Sequence, residues 1–138
     1  MGAADPKILQ IILGHFPSVQ GIYIFGSHGS EYERSDSDVD IALLLSPSIA
    51  ADLNAFDLSD CRLDLERGLS KEVDLLNLRR VSTVAQKEII ANGCLIYCAD
   101  RNALDEFEML VISYYQKLNE ERHAILEDFY RTGRAYPV

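Results

Sequence analysis

Two aspartates separated by one apolar residue, Asp38-Val39-Asp40, are the residues best placed to do chemistry. In an extended chain, residues two apart leave the same face, so Asp38 and Asp40 project together while Val39 and Ile41 turn into the core. Adjacent carboxylates repel, and burying them uncompensated costs several kcal/mol by order of magnitude. A divalent cation resolves that conflict, and Mg²⁺ prefers such oxygen ligands. The competing account is a strand end whose acids are merely solvated. Against it, Asp40 is followed by Ile41-Ala42-Leu43-Leu44-Leu45, the run of a buried strand. Asp74 is a third acid, interrupting the apolar Val73-Asp74-Leu75-Leu76. If its strand neighbours the first, three carboxylates converge, an arrangement suited to two metal ions about 4 Å apart. Otherwise Asp74 is a lone acid at a strand end.

Upstream, the β-branched and aromatic run Val19-Gln20-Gly21-Ile22-Tyr23-Ile24-Phe25 ends at Gly26-Ser27. Glycine there lets the backbone approach a ligand closely, and N–H groups at a following helix start attract phosphate, with the Ser27 hydroxyl adding a hydrogen bond. Gly-Ser also occurs at many strand-to-helix turns because serine caps helices. Arg34 can balance a phosphate or pair with Asp36 or Asp38.

The elements that must position these residues follow from periodicity. Asp5-Pro6 opens a helix whose apolar positions are Ile8, Ile11, Ile12 and Phe16. Strands are predicted at 19–25, 39–45, 72–78 and 94–98. One helix is predicted over 49–69 with Gly68 near its end, another from Ser82 or Thr83 to Ile90, and a long one from about 102 to 131. Alternating helices and strands indicate an α/β fold with a mixed sheet of four, or five, strands flanked by helices, mixed because the second connection is short. A chain of 138 residues suits one domain. With 22 Asp+Glu against 13 Lys+Arg, a net charge of −9, it lacks the basic footprint of a non-specific nucleic-acid binder. No apolar run reaches the roughly 20 residues of a membrane span, and MGAADPKILQ does not read as a secretory signal. Three cysteines, Cys61, Cys94 and Cys98, fit free thiols of a cytoplasmic protein better than a disulfide framework.

Gly26-Ser27, ten intervening residues, Asp38-Val39-Asp40 and the later acid of Glu72-Val73-Asp74-Leu75 together resemble the minimal nucleotidyltransferase (MNT) domain of the polymerase-β superfamily. Arg34, Asp36 and Ser37 fall where the family commonly has Arg-Pro-Asp-Ser, with Ser35 in place of proline; His28-Gly29-Ser30-Glu31 replaces its frequent basic residues. The resemblance spans about residues 8–98 of a single domain, 1–138, to which a helix at about 102–131 is added. It implies a metal-dependent transfer of a nucleoside monophosphate to a hydroxyl: Gly26 and Ser27 (with Arg34) holding ATP, Asp38 and Asp40 ligating two Mg²⁺ ions, and Asp74 holding the ion that activates the acceptor. Small MNT proteins of this length, the MntA-like antitoxins, accompany HEPN-domain RNase toxins, and the implied reaction is AMP transfer to a toxin tyrosine within a direct complex. The alternatives are an antitoxin acting by occlusion alone, and transfer to a small molecule.

Other residues carry less. Arg79-Arg80 can touch nucleotide or acceptor but reads better as a surface pair. His15, His28 and His123 are scattered, and Cys94-x3-Cys98 lacks a second ligand pair for zinc. At strand spacing these two cysteines share one face, among buried neighbours. The stripe of the last helix, with Tyr114, Tyr115, Phe129 and Tyr130, packs on the protein's own core or, beyond Leu118, docks a partner.

Overall fold

The protein's computed structural model describes residues 5–26 and 38–132. The apolar run after Asp40 forms β2 (Val39–Leu44), buried on both faces and flanked on both edges. On one side it pairs antiparallel with β1 (Gly21–Phe25); on the other it pairs parallel with β3 (Val73–Asn77). β4 (Cys94–Cys98) adds antiparallel to β1, so the order is β3-β2-β1-β4. This is the mixed four-stranded sheet that the alternation predicts.

Helices cover both faces. From α1 (Asp5–His15) and α3 (Ala55–Leu69), Ile8, Ile12, Cys61 and Leu65 pack on Ile22, Ile24, Val39, Ile41 and Leu43. From α4 (Thr83–Asn92) and α5 (Arg101–Thr132), Ile89, Leu104, Phe107 and Val111 pack on the opposite parity, Tyr23, Ala42 and Leu44. The two strand parities thus fill two cores, which explains the unbroken apolar run of β2. Tyr23 donates its hydroxyl hydrogen bond to Glu108, tying β1 to α5; burial, then the carboxylate, push the phenol's pKa upward.

Two expectations need correction. The single helix over 49–69 is two, α2 (Pro47–Asp52) and α3, broken where Leu53 is extended and Asn54 caps α3 by accepting from Asp57 N at 2.9 Å. Gly68 lies near the end of α3, as expected, but does not cap it. That task falls to Ser70, whose φ of 56° closes the helix, while Gly68 admits α1: a Cβ there would lie 2.8 Å from Ile11 Cδ1. Cys94 and Cys98 are exposed and leave opposite faces. The reason is a register shift between Ile22 and Tyr23: Cys98 pairs with Gly21 and Cys94 with Ile24, three residues on, which inverts the alternation.

α5 is 32 residues, about 48 Å long. Its stripe is buried at Leu104, Phe107 and Val111, then emerges into solvent: Tyr114 is 60% exposed, Ile125 42% and Tyr130 78%. Among the described residues no helix is long and apolar enough to cross a membrane.

Candidate active site

The acids meet at the end of the sheet where β2 and β3 begin. In the parallel pairing Asp40 lies opposite Asp74, and Val39 opposite Val73. In-register partners share a face, so Asp74 sits beside Asp40, with Asp38 two residues before it on the same side. Strand geometry spaces these backbone positions by about 4.8 Å across the sheet and about 6.6 Å along it. Asp40 is partly buried, while Asp38 and Asp74 are exposed.

The next strand supplies the glycine. Phe25 pairs with Asp40, and Gly26 follows it at φ +77°, a conformation that penalises any side chain. A Cβ at Gly26 would overlap Asp40 Oδ2. Glycine is therefore favoured twice, by the turn and by a carboxylate lying over it. Ser27 and Arg34, the other residues expected to hold nucleotide, lie outside the described residues.

The donor set fits a divalent cation by its chemistry, being all carboxylate oxygen at adjacent positions of one sheet face. Its side chains are not gathered around one point: among the described residues no three His, Cys, Asp or Glu form a group that could hold an ion. The direction of Asp40 Oδ2, over Gly26 at the β1 side, accounts for part of that separation. Backbone spacings of a few ångströms leave closure to side-chain rotation.

The cleft around the acids, about 420 Å³, is lined by Asp38, Asp40, Arg62, Glu66, Glu72, Val73 and Asp74. Arg62 and Glu66, which the sequence reading passed over, come from α3 and reach the cleft at the outer edge of β3. There Glu66 Oε2 accepts from Val73 N at 3.0 Å, satisfying an edge N–H that has no strand to receive it. Its Oε1 receives Arg62 Nη1 at 3.2 Å. The only signal for this pair in the sequence is an i,i+4 Arg/Glu spacing, which any solvated helix face can show.

Arg79 does not belong to this site. It lies past the opposite end of β3, where its guanidinium donates to Leu45 O and, at 2.9 Å, to Gln20 Oε1 and stacks over Phe107 at 5.3 Å. Two histidines are engaged elsewhere: His15 bonds Asp64 at 2.6 Å between α1 and α3, and His123 pairs with Glu127 on α5, while His28 lies outside the described residues.

Residues 7–102 match the family model described as polymerase beta, nucleotidyltransferase. The chain is 32% identical over 125 residues to the protein adenylyltransferase MntA of Shewanella oneidensis, covering 90% of this chain and 86% of the relative. A crystal structure of a toxin–antitoxin with AMP-PNP superposes with a TM-score of 0.76 at 30% identity, covering 91% of this chain and 98% of that one. A structure of a tri-AMPylated Shewanella oneidensis HEPN toxin in complex with its MNT antitoxin gives 0.71 at 30% identity, over 91% and 95% of the two chains.

Proposed function

This chain belongs to the polymerase beta nucleotidyltransferase family, and on that premise we propose that it transfers AMP from ATP to a hydroxyl, foremost a tyrosine, of a cognate HEPN RNase toxin and thereby neutralises it. Residues 1–138 act as one minimal nucleotidyltransferase domain, in the cytoplasm, in direct complex with the toxin. The observation that carries the reading is the Asp40–Asp74 register beside Gly26, a glycine favoured both by its positive φ and by the Asp40 carboxylate lying over it.

The acceptor oxygen attacks the α-phosphorus of ATP. The bond from that phosphorus to the bridging oxygen breaks, pyrophosphate leaves with the electron pair, and the hydroxyl proton passes to solvent. Mg²⁺, when bound, neutralises developing phosphate charge and lowers the pKa of the acceptor hydroxyl. The chain's own contribution is placement. Gly26 and Ser27 would hold the triphosphate, with Arg34 as an added cation, and Asp38, Asp40 and Asp74 would hold the ions, Asp74 toward the acceptor. Phosphoryl transfer depends chiefly on such positioning and charge compensation, so a rigid two-strand platform suffices.

The apolar stripe that α5 exposes beyond Val111 favours a second contribution, neutralisation by binding alone. One experiment separates the two. Incubation with ATP, Mg²⁺ and the toxin, followed by intact-mass measurement, gives toxin heavier by AMP, and Asp38→Asn abolishes both the added mass and the neutralisation. Neutralisation that persists unchanged in Asp38→Asn with no mass added would refute the enzymatic reading in favour of occlusion.

A further inference from the structure

We propose that Arg62 is a specificity-determining residue of the acceptor side, binding the phosphate of an acceptor that already carries AMP and so favouring repeated transfer; this rests on the function proposed above. The topology separates two approaches to the acids. In the order β3-β2-β1-β4, Gly26 follows β1, on one side of Asp40, and the triphosphate is assigned there. On the other side β3 is the edge strand of the sheet, with Arg62 and Glu66 of α3 beside its start, and the acceptor hydroxyl is assigned to that side of Asp74.

That entrance is strongly one-signed. Of the described residues lining the cleft, Asp38, Asp40, Glu66, Glu72 and Asp74 are acidic and Arg62 alone is basic. A neutral tyrosine hydroxyl can enter such a cleft. A toxin already modified presents a ribose hydroxyl near a phosphodiester, and that anion is repelled by five carboxylates. Arg62 is placed to reverse the sign locally. It is 40% exposed, free to meet a ligand, and it is held rather than loose: Glu66 takes one guanidinium nitrogen and fastens its other oxygen to Val73 N, the residue before Asp74. A guanidinium retains unused donors after one such bond, in a geometry that matches phosphate. The relative whose structure contains a tri-AMPylated toxin shows that repeated modification occurs among similar proteins.

The test follows AMP number against time by intact mass, starting from unmodified toxin, for wild type and for Arg62→Lys, Arg62→Gln and Arg62→Glu. The quantity read is the ratio of the second transfer rate to the first, which is insensitive to general damage. Loss of one charge-assisted phosphate contact lowers that ratio by roughly tenfold in Arg62→Gln, further in Arg62→Glu, and least in Arg62→Lys. Rates that fall together, or a ratio that ignores the charge at position 62, would overturn the role and leave a surface ion pair. A wild type that stops at one AMP overturns it as well. A wild type that transfers none refutes instead the function beneath it.

Discussion

Replacing Gly26 by alanine tests the geometry on which the site rests. Two costs are separable. At φ +77° a Cβ-bearing residue pays roughly 1–2 kcal/mol for its left-handed backbone. The new Cβ also collides with Asp40 Oδ2, so the carboxylate must swing away, at about 0.5–1.5 kcal/mol if it leaves its rotamer. Together they amount to about 1.5–3.5 kcal/mol, or roughly 5–12 °C in Tm for a chain of this length. Urea unfolding followed by circular dichroism, in Mg²⁺-free buffer, measures this for Gly26→Ala, Asp40→Ala and the double variant. In the Asp40→Ala background only the backbone cost remains, so the two substitutions couple by about 0.5–1.5 kcal/mol. Gly26→Asn, which tolerates positive φ but keeps a Cβ, retains the collision and loses most of the strain. Equal costs of Gly26→Ala in both backgrounds would refute the claim that Asp40 lies over the glycine. AMP transfer by Gly26→Ala falls with the displaced carboxylate, independently of fold stability at assay temperature.

Asp38→Asn and Asp74→Asn each reduce AMP transfer by at least about 100-fold, as loss of a ligand to transition-state charge does, while both exposed positions leave apo stability within about 0.5 kcal/mol of wild type; label transfer and thermal melting read the two effects. Leu118→Glu with Ile125→Glu leaves the melting temperature nearly unchanged, since both sit on the exposed part of α5, and abolishes co-elution with the toxin on gel filtration; co-elution as in wild type would show that the stripe is not where the toxin docks. A thiol-exchange reagent at pH 8 titrates Cys94 and Cys98 rapidly, and Cys61 only on unfolding, because burial pushes the Cys61 thiol up to about 12 from 9.0, with Asp64 adding to it. The same shift means the unfolded chain releases this proton first, so stability falls as pH rises above about 9 towards 12, and Cys61→Ala flattens that part of the pH–stability curve.

The acids were legible because apolar runs around them dictate strands, and strand alternation dictates which residues share a face. Asp38 and Asp40 needed only that rule. Asp74 needed β3 to neighbour β2, which the sequence left as a condition and the Asp40–Asp74 pairing meets. Other features left no such trace. The helix break at Leu53-Asn54 falls in a run that keeps helical spacing across it, so only the cap at Asn54 marks it. The opposed faces of Cys94 and Cys98 depend on a register shift, which is a property of two strands together and of neither alone. Arg62 and Glu66 reach the cleft because α3 crosses the edge of β3, a tertiary fact that an i,i+4 pair does not announce. The orientation of Asp40 over Gly26 likewise appears only when β1 and β2 are in register.

The two ends of β2 are built differently, and the difference bears on catalysis. At the far end Arg79 binds Leu45 O and Gln20 and covers Phe107, and Asn77 Nδ2 donates to Ala50 O at 3.0 Å, so loops from three elements are locked together. Between the ends, every β2 residue after Asp40 is buried, and close packing resists displacement of the strand. At the near end the backbone is held by ladder bonds and the Glu66–Val73 contact, but the carboxylates are exposed or half-exposed and not drawn into one cage. Mutual repulsion among those acids therefore cannot be relieved by moving the strands; rotation of side chains or capture of cations are the ways left. Under the proposed function, a cation held by Asp38, Asp40 and Asp74 would meet a strand backbone already in register, leaving only side-chain χ angles to be organised among these three residues. At the strands, the reorganisation that would weaken electrostatic stabilisation of the proposed transition state is small for that reason.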